Sequence, residues 1–160
     1  MNSFKIIGLM SGTSLDGVDI TYATYTKVSD KNWEFEIHAA HTFQFTEILL
    51  SSLHEASKLS GSQLATLNHD LGVFFSSCIN RFVEENTISK EEVDAIASHG
   101  QTVFHQPQRG FTTQIGNPAV IAVQTGAASL NHGGGMLAEA ERYQNLLWQM
   151  AVANARKDMN

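Results

Sequence analysis

The hydrophobic period of the sequence changes near residue 46, and this change constrains the fold more than any other feature. Before it, short stretches alternate in hydrophobicity and are rich in Val, Ile, Thr and Tyr, which is typical of strands. The predicted strands cover residues 4–10, 18–26 and 33–45. Turn residues at 11–17 and 29–32 separate them. Strands that follow one another so closely predict an antiparallel meander.

After residue 46 the apolar residues recur with helical spacing. They predict a helix over 47–59, a break at Ser60–Gly61, and a longer helix that has Ser62 as its N-cap and ends near Glu85. The shorter predicted elements are strands at 93–98, 102–105 and 112–115 and a helix from Pro118 to Thr125 that ends at Gly126. This mixture of strands and helices indicates an α/β domain with a mixed sheet flanked by helices.

The last segment of the chain differs in composition from the rest. Three consecutive glycines at 133–135 predict a flexible spacer, and apolar spacing predicts a helix over 137–159. We therefore expect one α/β domain over residues 1–126, followed by a Gly-rich junction and C-terminal helix at 127–160 that packs on the same domain. The alternative is that this helix pairs with a partner or with a second copy, which would make a homodimer.

Composition argues against several classes of partner. The formal net charge is −6 and Lys and Arg are not clustered, whereas nucleic-acid binding needs basic patches. No apolar stretch approaches the roughly 20 residues that span a bilayer. Cys78 is the one cysteine, so we expect a small core residue and neither a disulfide nor a zinc site. The N-terminus does not have the pattern of a signal peptide, and a cytoplasmic location is expected.

A turn built mainly from Gly, Ser and Thr follows the first predicted strand. The backbone N–H groups of such a turn can converge on an anion, and glycine lets a phosphate approach closely. Hydroxyl groups add donors, and the carboxylates of Asp16 and Asp19 are the kind of ligand that Mg²⁺ prefers. The residues concerned are Ser11, Gly12, Thr13, Ser14, Asp16, Gly17 and Asp19. Taken by themselves, they also suit an ordinary hairpin turn.

Three ordered segments decide between these interpretations, because together they resemble the signatures of the anhydro-N-acetylmuramic acid kinases. The segments are Gly8–Asp19, Ala95–Pro107, and Gln114–Ala122 followed by Thr125–Gly126. The resemblance covers about residues 4–126. This family belongs to the sugar kinase/Hsp70/actin superfamily, so the resemblance implies a ribonuclease-H-like, actin-like ATPase domain.

The resemblance also implies an activity. Members of this family use ATP and Mg²⁺ to open the 1,6-anhydro ring of N-acetylmuramic acid with water and to phosphorylate its O6, in cell-wall recycling. The partners would then be a nucleotide and an amino sugar. By residue match, the segment from Ser11 to Asp19 would bind the ATP phosphates. The Mg²⁺ ligand is left open between Asp16, Asp19 and water. The residues implied to line the cleft near the sugar are His99, Gly100, Gln101 and Thr102, and Gln114–Asn117 would support that wall.

The resemblance weakens after Gly126. In the family the next strand carries an Asp-Phe-Arg signature, and its Asp is the expected general base. Here residues 127–135 contain neither Asp nor Arg, and His132 is nearest to that position. Because its neighbours do not match, no catalytic residue is assigned. We therefore expect a truncated or rearranged kinase chain with weak or no activity alone, and the alternative is a non-enzymatic scaffold or oligomerisation module.

Overall fold

The computed structural model describes residues 2–29, 32–126 and 129–131. The centre of the turn expected at 29–32 lies outside these residues. So do most of the Gly-rich junction and the whole helix expected at 137–159.

Within the described residues the chain forms seven strands and three α-helices. The strands are β1 (Asn2–Ser11), β2 (Val18–Ser29), β3 (Asn32–Phe43), β4 (Ala95–Ser98), β5 (Gln101–Gln106), β6 (Phe111–Ile115) and β7 (Ser129–Asn131). The helices are α1 (Glu47–His54), α2 (Gly61–Glu85) and α3 (Pro118–Thr125), and short 3-10 turns occupy Ala56–Lys58, Lys90–Glu92 and Pro107–Arg109. The predicted α/β class is confirmed.

Five of the strands form one mixed sheet in the order β3-β2-β1-β4-β7. The first three pair antiparallel, which confirms the predicted meander, and β4 and β7 add to it in parallel. Leu9 of β1 lies between Ile20 of β2 and Ser98 of β4. The carboxyl ends of β1 and β4 therefore meet at one edge of the sheet. A separate antiparallel hairpin, β5–β6, follows directly from that edge.

Helix α2 and one face of this sheet form the core. The α2 side chains that face the sheet are at most 1% exposed and recur at helical spacing; they are Leu71, Phe75, Ile79 and Phe82. Burying side chains of this size stabilises the fold by about 1.5–3 kcal/mol each relative to leaving them exposed. They pack with apolar residues of the sheet, among them Ile7, Leu9, Val18, Ile20 and Ile96.

Cys78 is buried in the same core, as the sequence predicted. Burial raises the pKa of its thiol to about 11, since the thiolate would lose its hydration. At neutral pH the group stays protonated, so it behaves as a small apolar side chain.

The predicted start of the long helix was wrong by two residues. The N-cap is Ser60, whose Oγ accepts a hydrogen bond from the Gln63 backbone N at 3.4 Å. The Gln63 side chain in turn accepts from the Ser60 backbone N at 3.0 Å. This reciprocal capping box needs Gln three residues after the cap, so it selects Ser60 over Ser62.

Two further boundaries differ from the sequence prediction. The first helix ends at His54, and its predicted last turn is a separate 3-10 turn at Ala56–Lys58. The sequence analysis also missed β7, which pairs in parallel with β4. A strand of three residues is too short to show a hydrophobic period, so only the tertiary pairing reveals it.

The turn between β6 and α3 is held tightly against α2. Asn68 accepts a hydrogen bond from Gly116 N through its side chain at 2.8 Å and from Asn117 N through its backbone at 3.0 Å. One turn further along α2, a Cβ on Gly72 would lie 2.9 Å from the Asn117 carbonyl oxygen. Glycine at 72 therefore permits the approach on which this turn depends.

We expect Gly72→Ala to lower the free energy of unfolding by about 1–3 kcal/mol, because the added methyl group forces α2 away from Asn117. Gly61→Ala is the matched control, since a Cβ there would meet nothing within 4 Å. It should leave stability unchanged or raise it by up to about 1 kcal/mol through helix propensity. Urea denaturation followed by circular dichroism measures both variants, and equal stabilities would contradict the packing described above.

Candidate functional site

The bend between β1 and β2 lies at the sheet edge where β1 and β4 end. Thr13, Ser14 and Asp16 are exposed there. The bend closes one backbone hydrogen bond of its own, from Leu15 N to Gly12 O at 3.2 Å. Among the described residues, the amides of Thr13, Ser14 and Asp16 have no acceptor. Their hydrogen-bonding capacity is thus left for solvent or a ligand.

Gly17 fixes the shape of this bend. Its φ is 155°, and a Cβ on it would lie 2.8 Å from the Phe43 carbonyl oxygen. Leu15 also adopts a positive φ of 55°. Only glycine fits at 17 without displacing β3, so the bend can approach the end of β3 this closely.

The three hydroxyl groups predicted to bind phosphate have different environments. Ser11 is 2% exposed, and its Oγ donates to the Oε1 atom of Gln101, which is 3% exposed. Ser14 Oγ donates to Asp16 Oδ1 at 2.8 Å. Thr13 alone of the three is exposed with no hydrogen-bond partner among the described residues. The buried hydroxyl of Ser11 donates to Gln101 and so joins β1 to β5, and its role in phosphate binding stays a prediction.

The two candidate metal ligands are also arranged differently. Asp16 belongs to the exposed bend, whereas Asp19 lies in β2 opposite Met10 and accepts from Thr42 Oγ1 at 2.6 Å. In the described part of the chain, no cluster of three or more His, Cys, Asp or Glu side chains could hold a metal. Either carboxylate could supply one ligand to Mg²⁺, with water and phosphate oxygens as the others.

The predicted sugar-side segment connects β4 to β5 and lies beside the bend. His99 N donates to Leu9 O at 2.9 Å, which continues the parallel pairing of β4 with β1. Gly100 has a φ of 69°, and a Cβ there would lie 2.6 Å from the Ile115 carbonyl oxygen. The His99–Leu9 and Ser11–Gln101 hydrogen bonds bring the first two sequence signatures together, and the close approach of Gly100 to Ile115 brings in the third.

The third signature packs behind the second. Gln114 Nε2 lies 3.0 Å from His99 Nε2, where the amide can donate to the ring nitrogen. Gly116 comes so close to the same segment that its Cβ would lie 3.6 Å from the Gly100 Cα. Gln114 and Gly116 therefore pack against the segment after β4, and the supporting role implied for Gln114–Asn117 stays a prediction.

A cleft of about 210 Å³ lies between the bend and β5. Its lining residues are Thr13, Leu15, Leu53, His54, Ala56, Ser57, Gln101, Thr102 and Val103. Of the four predicted sugar-side residues, Gln101 and Thr102 line this cleft and His99 and Gly100 do not. Sequence reasoning missed the contribution of Leu53, His54, Ala56 and Ser57. Two of them are ordinary core residues and two are exposed polar residues at the end of a helix, and neither kind signals a cleft in the sequence.

Strand β7 ends at this edge too, since Asn131 pairs with Ser98. His132, which is nearest to the expected general base, lies outside the described residues, and no catalytic residue is assigned.

Comparison with known proteins decides the family. The family model for anhydro-N-acetylmuramic acid kinase matches residues 4–132. This chain belongs to the anhydro-N-acetylmuramic acid kinase family. The match reaches six residues beyond the end inferred from the sequence signatures, and it includes β7.

Individual members of the anhydro-N-acetylmuramic acid kinase family give the same result. The protein of that name from Shewanella pealeana is 41% identical over 131 residues, which is 79% of this chain and 34% of that protein. The one from Bacillus thuringiensis subsp. konkukian is 34% identical over 137 residues, which is 79% of this chain and 35% of that protein. The chain thus spans about a third of the length of these relatives. In its described residues, no helix is long and apolar enough to cross a membrane.

The buried hydrogen bond between Ser11 and Gln101 gives a stability prediction for this member of the family. We expect Ser11→Ala to lower the free energy of unfolding by about 1–3 kcal/mol, because it leaves the buried Gln101 oxygen without a donor. Ser14→Ala, which removes an exposed hydroxyl, should change it by less than about 0.5 kcal/mol. Chemical denaturation compares the two variants, and equal effects would show that the buried bond contributes nothing.

Proposed function

We propose that this chain forms the phosphate- and sugar-binding wall of an ATP-dependent anhydro-N-acetylmuramic acid kinase. The reaction adds water across the 1,6-anhydro bond and transfers the γ-phosphoryl group of ATP to the freed O6, giving N-acetylmuramic acid 6-phosphate. The observation that carries this proposal is the bend at 12–17, where the amides of Thr13, Ser14 and Asp16 have no acceptor among the described residues and lie beside a cleft. The mixed sheet that positions the bend supports a ribonuclease-H-like, actin-like ATPase fold.

In this proposal the bend binds the phosphate groups of ATP. The amides of Thr13, Ser14 and Asp16 donate to phosphate oxygens, and the Thr13 hydroxyl adds a further donor. Gly12 keeps the approach open, since the nearest atom to a Cβ there would be Ser14 Oγ at 3.4 Å.

The proposed metal site uses carboxylates next to the same bend. The exposed carboxylate of Asp16 suits an ion that keeps much of its water, and Asp19 is the second candidate. When bound, Mg²⁺ would neutralise phosphate charge during transfer.

On the sugar side, the proposed roles of the four residues differ. Thr102 lines the cleft and can contact the sugar directly. Gln101 lines it too, but its Oε1 accepts from Ser11, so we assign it mainly a positioning role. Gly100 allows the close approach of β6, and His99 is oriented by Gln114.

The general base remains unassigned, and this limits the activity that we propose for the chain alone. Residues 127–135 offer no carboxylate to activate water. Phosphoryl transfer also needs charge stabilisation from several sides of the phosphate. We therefore propose binding of MgATP and sugar with weak or no turnover. We also propose that residues 1–126 form a single domain and that residues 127–160 pack on it. A cytoplasmic location and a second copy of the chain as partner are further proposals.

The proposed phosphate site can be tested with the nucleotide. We expect MgATP at millimolar concentration to shift the amide signals of Thr13, Ser14 and Asp16 in ¹H–¹⁵N spectra of the chain. Thr13→Ala should weaken binding about tenfold, because it removes one hydrogen bond to a charged group. Thr66→Ala, on the exposed side of α2, is the control and should leave the affinity unchanged. MgATP that leaves residues 11–19 unperturbed would refute the proposed site.

The proposed lack of a base gives a second test. The chain incubated with MgATP and 1,6-anhydro-N-acetylmuramic acid should form sugar phosphate slowly or not at all relative to the rate without protein, as measured by ³¹P spectroscopy. Efficient turnover would contradict this proposal. It would show that the water is activated by a group other than the family's carboxylate.

A further inference from the structure

The cleft has a third wall that the signature residues do not supply. It is built from Leu53 and His54 at the end of α1 and from Ala56 and Ser57 in the following 3-10 turn, here called the α1 corner. We propose that the α1 corner binds the amino sugar, with His54 and Ser57 as its hydrogen-bonding contacts. This inference rests on the proposed function and extends its sugar site to residues outside the three signatures.

Unpaired polar groups from three parts of the fold converge on this cleft. Thr13 comes from the bend, His54 and Ser57 from the α1 corner, and Thr102 from β5. None of these four side chains has a hydrogen-bond partner among the described residues. A sugar presents hydroxyl and amide groups around its rim, so it can satisfy several such donors and acceptors at once.

The remaining lining is apolar, and the cleft is small. Leu15 and Val103 are partly exposed and provide a small apolar surface on which the C–H face of a sugar ring can pack, with the buried Leu53 and Ala56 behind it. A volume of about 210 Å³ is below the roughly 300–1,000 Å³ of pockets that enclose drug-sized ligands. The size therefore favours a single sugar ring over a whole nucleotide.

The position of the cleft suits a phosphoryl acceptor. Thr13 and Leu15 belong both to the bend and to the cleft lining, so a ligand in the cleft touches the segment proposed to bind phosphate. The α1 corner closes the cleft from another side. It is not a loose loop, because Leu53 and Ala56 are only 6% and 4% exposed and anchor it in the core.

The test titrates the full chain with 1,6-anhydro-N-acetylmuramic acid and, separately, with MgATP, both followed by ¹H–¹⁵N spectra. We expect the sugar to shift the amides of His54, Ser57 and Thr102, and MgATP to shift those of the bend. His54→Ala and Ser57→Ala should each weaken sugar binding about tenfold and leave MgATP binding unchanged. The matched controls are His69→Ala and Ser51→Ala, at exposed helical positions outside the cleft, which should weaken neither ligand.

The possible failures can be told apart. Sugar binding that shifts Thr102 but not the α1 corner, or that survives both substitutions, would overturn this inference and leave the proposed function intact. If the sugar does not bind while MgATP still binds the bend, both the proposed sugar substrate and the proposed sugar contacts of the α1 corner are wrong. A loss of MgATP binding in His54→Ala would also contradict the inference, because the corner would then serve the nucleotide.

Discussion

The parallel pairing of β1 with β4 is the constraint on which the site depends. It aligns Leu9 with Ser98, so the bend after β1 and the segment after β4 leave the sheet side by side. Residues about 90 positions apart in the chain thereby become neighbours, and Ser11 can donate to Gln101. In α/β proteins, ligands commonly bind at the carboxyl ends of strands, where such loops meet. The candidate site of this kinase family member follows from that one pairing.

Much of the fold could be predicted from the sequence, because the hydrophobicity of its main strands and helices is periodic. The meander and the long helix α2 show clear periods of two and 3.6 residues. Two predictions failed for different reasons. The cap at Ser60 follows from a local pattern, Ser with Gln three residues later, and the sequence analysis chose Ser62 instead. Strand β7 has no such local pattern, because it is three residues long and is defined by its pairing with β4.

The candidate site shows the same division. Ordered signatures identified the bend and residues 99–102, since glycine and hydroxyl residues recur there in a recognisable order. The signatures do not show which hydroxyl group in the bend lacks a hydrogen-bond partner. Burial turns Ser11 inward to Gln101 while Thr13 stays exposed, and only the folded chain distinguishes the two. His54 and Ser57 went unnoticed because their only distinguishing property is their position opposite β5.

The glycine contacts behind the site have a mechanical consequence. Gly100 and Gly116 meet at the level of the backbone, with no side chain between them to absorb a shift. Gly116 and Asn117 are in turn bonded to Asn68 of α2. Displacement of the sugar-side segment must therefore carry the β6–α3 turn with it and push against the longest helix. The segment after β4, the β6–α3 turn and α2 therefore resist displacement as one unit.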